Sequence, residues 1–260
     1  MFNAYNVVFI ILIILCVLLV HLFKLIRLYL VLMEKKIPFF RFVELYLETT
    51  IINLAIPFKL GEISRVLMFS AETKSFEAGF FSILTDRFFD TLSLMVLLLT
   101  ICAAGFCGIN FVMVVLLILL AGIAALYIGF PAAYGYLNRY IIINKTSKRA
   151  MRALKLLETM AGWHEYIKGL ITGRCLLMML FSVFGWLCEG AVLWMLAIIT
   201  GGIFGVKEYA EYISSIFSAS GSRLLIVYSG ITIFILGSLC LVLLLVAWIR
   251  KLLENRNEED

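Results

Sequence analysis

The sequence predicts an all-α fold, a polytopic integral membrane helical bundle of about five spans plus one re-entrant helical hairpin. Three observations carry that expectation: an apolar composition, apolar runs of membrane-crossing length, and basic residues gathered in alternate connections. Of the 260 residues, 63% are hydrophobic and 15% charged, against about half and about a quarter in a soluble domain. Runs at 7–23, 88–106, 109–130, 175–200 and 224–248 approach or exceed the roughly 20 apolar residues that a helix needs to cross a bilayer. They do not alternate in polarity every second residue, as the strands of a membrane barrel would.

The first run, VVFIILIILCVLLV, continues through His21 and Leu22 with no preceding positive charge and no small-residue cleavage site. It reads as a retained first helix, not a cleavable signal. Lys24, Arg27, Lys35, Lys36 and Arg41 follow it, Arg139 to Arg174 supplies eight more basic residues, and Arg250, Lys251 and Arg256 close the chain. The positive-inside tendency places 24–41, 139–174 and the C-terminus in the cytoplasm and the N-terminus outside, in the cell membrane. The six cysteines show no CxxC spacing and read as small apolar side chains within or beside spans. Two histidines offer no histidine-based metal site, and no cofactor is expected.

Parity then constrains residues 42–87. The runs at 88–106 and 109–130 already return the chain from the cytoplasm to the cytoplasm, so 42–87 must enter and leave by one face, as a re-entrant hairpin or a cytoplasmic-side element. Its first limb, 42–56, would be about 22 Å long as a helix, short of a crossing. Pro57 ends it, Gly61 permits a tight reversal, and a return helix starts at Glu62. Non-helical backbone at that depth must be buried in protein or line a watery cavity. The whole of 1–260 is then one transmembrane domain, with a charged tail at 250–260. In the connection at 139–174, Thr146 or Ser147 caps a helix whose apolar stripe (Ala150, Met151, Leu154, Leu157, Ala161) opposes Lys148, Arg149, Arg152 and Lys155. A basic amphipathic helix of that kind suits an anionic leaflet, and a solvated connecting helix is the plainer alternative.

Ionisable residues within such a bundle cost roughly 2.5–3.5 kcal/mol each and face its interior or water. Asp86 and Asp90 are four apart and share a helix face, with Arg87 beside them. Glu62 and Arg65, three apart, can pair along the return limb. Glu189 stands halfway along an otherwise uncharged helix, and a partner among Arg65, Lys59 and Arg87 is expected for it; a protonated structural glutamate is the alternative.

The run NLAIPFKLGEISRVLMFSAETKSFEAGFFSILTDRFFDTLSLMVLLL resembles the membrane region of lysylphosphatidylglycerol synthases and their flippase-like relatives. The resemblance lies in Asn53, Pro57, the GE-x-x-R element (Gly61, Glu62, Arg65) and the D-R-x-x-D element (Asp86, Arg87, Asp90). It covers about 20–105, and more loosely extends to about 200. Family members commonly have a later proline-glycine-rich element, for which GGIFGVKE (Gly201, Gly202, Gly205, Glu208) is a degenerate match or a plain external loop. The soluble aminoacyl-transfer domain of the synthases is absent from these 260 residues, which argues against synthase activity. The resemblance implies flipping of a phospholipid, an aminoacylated lipid or a polyprenyl-linked sugar.

The substrate-binding candidates are Asn53, Lys59, Glu62, Arg65, Asp86, Arg87, Asp90 and Glu189, with no catalytic or metal set among them. Their mixture of charges suits a zwitterionic or anionic lipid headgroup. No nucleotide-binding loop is present, and no nucleic-acid partner is expected. Three classes stay open: a flippase-like lipid transporter; a membrane enzyme using Asp86 or Asp90 as a base; or an accessory subunit to a separately encoded synthase or glycosyltransferase.

Overall fold

The computed structural model describes residues 4–56, 60–106, 108–109, 111–144, 148–217 and 223–259, and among these every regular element is helical. In chain order they are α1 (Ala4–Leu32), a 3-10 turn (Met33–Lys35), α2 (Phe39–Ala55), α3 (Leu60–Thr73), α4 (Phe76–Ala103), α5 (Phe111–Asn144), α6 (Lys148–Ile171), α7 (Cys175–Thr200), α8 (Val206–Phe217) and α9 (Arg223–Glu259). Four stretches are long and apolar enough to cross a membrane: Val7–Lys35, Phe111–Ile143, Cys175–Thr200 and Ile226–Val246. The protein is a multi-pass membrane protein. α4 is nearly as long as α1 but carries Asp86, Arg87 and Asp90 at its middle, and so stands apart from these four.

α1 packs along α7, and both pack on α4; α2 and α3 pack together, α3 also on α4 and α2 also on α9. The interior has three apolar clusters. One joins Ile13 and Val17 of α1 to Leu94 and Leu98 of α4, Val192 and Leu193 of α7, and the aromatic face of α8. A second joins Leu25 and Leu28 to Phe42, Leu45 and Phe69 of the helical pair α2–α3. The third sets Phe81 and Phe89 of α4 against Leu170 and Met178. The polar site described below lies where these clusters meet.

Local chemistry explains the turns. α2 and α3 run antiparallel, tied at their open end by Arg41 Nε to Glu72 Oε2 at 3.2 Å. At the tip, a Cβ on Gly61 would lie 2.2 Å from the Cα of Asn53, so the crossing requires glycine. Lys74 closes α3 at φ 52° and Ser75 caps α4, its hydroxyl accepting from Ala78 N–H at 3.3 Å. The expected reversal at Pro57, and Lys59 beside it, lie outside the described residues, as does the Thr146–Ser147 cap. The long apolar helix expected from residue 88 begins at Phe76, the first place where a cap frees the chain from the preceding turn.

Three further expectations are revised. The basic residues Lys24 and Arg27, read as a flank of the first span, lie inside α1, which runs unbroken to Leu32. Cys102, at the end of α4, is disulfide-bonded and not merely a small apolar side chain, while Cys16, Cys175, Cys188 and Cys240 are free. GGIFGVKE is a helix start, not only a loop: Gly201 ends α7 at φ 70°, and Glu208 Oε2 accepts from Gly205 N–H at 2.8 Å. That bond, the glutamate half of a capping box, opens α8. Bonds from its own and the Gly205 backbone N–H hold the Glu208 carboxyl below its ordinary pKa.

Candidate functional site

Arg27 organises the site. Its side chain is 1% exposed, with Nε donating to Asp86 Oδ1 at 2.6 Å and Nη1 to Asp90 Oδ1 at 2.5 Å. Nη1 also donates to the hydroxyl of Ser182 on α7. The three helices that pack together thus each supply a group: α1 the guanidinium, α4 two carboxylates one helical turn apart, α7 the hydroxyl. Arg87 meets the same carboxylates from the other side, Nη2 to Asp86 Oδ2 at 2.7 Å and Nη1 to Asp90 Oδ2 at 3.4 Å. Its side chain, unlike that of Arg27, is 35% exposed.

The tip of the α2–α3 pair completes the cluster. Asn53 Nδ2 donates to Glu62 Oε1 at 3.0 Å, and Glu62 Oε1 lies 3.6 Å from Arg87 Nη1. Arg65 is buried, donating from Nη2 to Thr50 Oγ1 at 2.9 Å, with Nη1 3.7 Å from Glu62 Oε2. Three guanidinium groups therefore face three carboxylates, and the cluster is formally neutral. That mutual pairing offsets the cost of placing each charge in a membrane. Several buried atoms of the cluster keep unused hydrogen-bonding capacity: Arg27 Nη2, Asn53 Oδ1, Glu62 Oε2 and Arg65 Nε.

The depth of the cluster follows from the helices. One end of the bundle is tied by Arg174 to Glu34 at 2.7 Å and by Trp163 Nε1 donating to Glu77 at 3.0 Å. Arg27, Ser182 and Asp86 lie seven, eight and nine residues from Glu34, Arg174 and Glu77. At 1.5 Å per residue each route sets the cluster about 10–14 Å in from that end of the bundle.

A second polar centre lies farther along α7. Glu189 Oε2 accepts from Lys24 Nζ at 3.1 Å and Oε1 from the Tyr212 hydroxyl at 2.8 Å. Lys24 also stands 5.5 Å from the centre of the Trp186 ring. The expected partner among Arg65, Lys59 and Arg87 is thus replaced by Lys24. The cause is packing: α7 lies along α1, so the nearest cation comes from α1, whereas Arg65 and Arg87 are held by Glu62, Asp86 and Asp90. Gly190 adjoins this centre, its absent side chain leaving room for the Tyr209 ring.

Of the eight candidates, Asn53, Glu62, Arg65, Asp86, Arg87 and Asp90 come together, Glu189 forms the neighbouring centre, and Lys59 lies outside the described residues. Sequence reasoning missed Arg27 and Ser182 as members of the site. The signal was present for Arg27: the apolar run LYLVL continues past it, so the charge is interior to a helix, not beyond its end.

A family model described as lysylphosphatidylglycerol synthase TM region matches residues 2–206. No curated protein and no solved structure matches the chain.

Proposed function

The chain belongs to the lysylphosphatidylglycerol synthase TM-region family, and from that membership and the buried ion cluster we propose that it moves a phospholipid or lipid-linked headgroup across the bilayer. The observation that carries this reading is a neutral set of three arginines and three carboxylates in the interior of the helical bundle, sealed at Arg27 and open at Arg87. A purely structural ion pair does not require a partly open rim. A zwitterionic headgroup can enter by partner exchange: its phosphate takes over Arg87 while its ammonium takes over Glu62 or Asp90. Each charge remains compensated throughout, which keeps the barrier below that of carrying a bare charge. The unused donors and acceptors at Arg65, Asn53 and Glu62 are available to the same group.

The same reading includes orientation in the cell membrane. The hairpin α2–α3 enters and leaves by the cytoplasmic face, the N-terminus is outside and the C-terminus inside. The disulfide at Cys102 supports this, since disulfides persist in oxidising compartments and this orientation has the α4–α5 connection facing outward. Tags on the two termini of intact cells, probed with an impermeant reagent, test it; a labelled C-terminus overturns it.

Reconstitution into liposomes with headgroup-labelled phospholipids tests the transport. The expected result is scrambling above protein-free vesicles, lost in a folded Arg87→Gln variant. Chemical conversion of the lipid would favour a membrane enzyme instead, and activity only after addition of a synthase or glycosyltransferase would favour an accessory subunit.

A further inference from the structure

A cleft of about 650 Å³ runs between α4, α5 and α6, within the roughly 300–1,000 Å³ typical of ligand sites. Its walls are apolar: Phe88 and Leu92 of α4, Leu120 and Ala124 of α5, Trp163 and Ile167 of α6. The charged side chain on its wall is Arg87, the open member of the ion cluster. The cleft is not sealed from the bilayer, because Leu84, Leu119 and Leu126 on its walls are exposed. Its far wall is built by His164, whose ring stacks on Tyr127 with centroids 4.7 Å apart and whose Nε2 lies 3.1 Å from the Tyr127 carbonyl oxygen. That contact holds α5 to α6 on the side of the cleft away from Arg87.

From this continuity we propose that the cleft is the lateral entry for a phospholipid, holding an acyl chain while the phosphate engages Arg87. The inference rests on the reading that a headgroup binds at the ion cluster, and it adds the route and the part of the lipid recognised outside the cluster. Charge complementarity selects the occupant. An uncharged lipid or an apolar protein helix would fill the apolar walls but leave Arg87 without a new anion. A phospholipid satisfies both parts at once.

Trp163 reports from inside the cleft, and Trp194, half exposed on α7, reports on bulk lipid. Full-length variants that keep only one of these tryptophans are reconstituted into liposomes and titrated with a brominated-chain phospholipid, or with a brominated-chain diacylglycerol that lacks phosphate. Trp163 should be half-quenched at a several-fold lower mole fraction of the phospholipid than Trp194, and should show no such preference for the diacylglycerol. Ala124→Phe, which narrows the cleft without touching the ion cluster, should bring the Trp163 curve onto that of Trp194. Identical curves for the two tryptophans in the otherwise unaltered protein would overturn the inference, and so would equal preference for the diacylglycerol. Preferential quenching without scrambling would leave the cleft assignment standing and remove the transport reading; scrambling without preferential quenching would do the reverse.

Discussion

Arg27 and Arg87 grip the same two aspartates from opposite sides, yet one is 1% exposed and the other 35%. The difference teaches where structure stops and function begins in this cluster. Arg27 is enclosed by α1, α4 and α7 and cannot release its partners without leaving two carboxylates uncompensated. Arg87 faces the hairpin tip on one side and an apolar cleft on the other, and can change partners while Arg27 keeps the carboxylates charged. Burial thus divides one ion network into an anchor and an exchangeable rim.

The division can be broken most forcefully at the anchor. Arg27→Gln should destabilise the protein by roughly 3–5 kcal/mol, the cost of removing one partner from a buried ion pair, seen as a large fall in Tm in detergent. Arg87→Gln should cost clearly less while abolishing headgroup scrambling. Equal thermal losses in the two variants would erase the distinction between them.

Next comes the frame that presents the rim. Gly61→Ala forces a methyl group to within 2.2 Å of the Asn53 backbone, and should cost roughly 1–3 kcal/mol by overpacking. A wild-type Tm for that variant would mean that the hairpin does not cross so closely. The second ion centre sharpens the comparison, because it should act independently of Arg65. A double-mutant cycle between Lys24→Met and Glu189→Gln should show coupling of roughly 0.5–3 kcal/mol, whereas Arg65→Gln and Glu189→Gln should add. The smallest effect is expected at the hairpin's open end. Arg41→Ala removes partly exposed pairs to Glu44 and Glu72 and should change stability by no more than about 1 kcal/mol.

How much of this was legible in the sequence varies with the kind of signal. Four of the five apolar runs coincide with the spans, because hydrophobic length is a local property; the fifth, at 88–106, falls in α4, whose charged residues set it apart. The aspartate pair and the Glu62–Arg65 element were legible because helical spacing of three or four puts residues on one face. Arg27 was not, since a rule that counts basic residues near the end of a span cannot distinguish an interfacial cation from one buried a few turns earlier. Which cation meets Glu189 depends on which helix lies against α7, and that is a tertiary fact without a local trace. α8 was not legible, because twelve residues carry too few turns of periodicity to stand out, although Glu208 three residues after Gly205 spells its cap.

The two ion centres share one mechanical part. Lys24 and Arg27 lie a single turn apart on α1, an unbroken helix of 29 residues. A rigid rod cannot shift one of them and spare the other. An axial slip of one residue, about 1.5 Å, would carry the roots of both the Lys24–Glu189 and the Arg27–Asp86 contacts by the same amount. α1 is therefore a shared beam between the two centres: a displacement felt at one is delivered to the other.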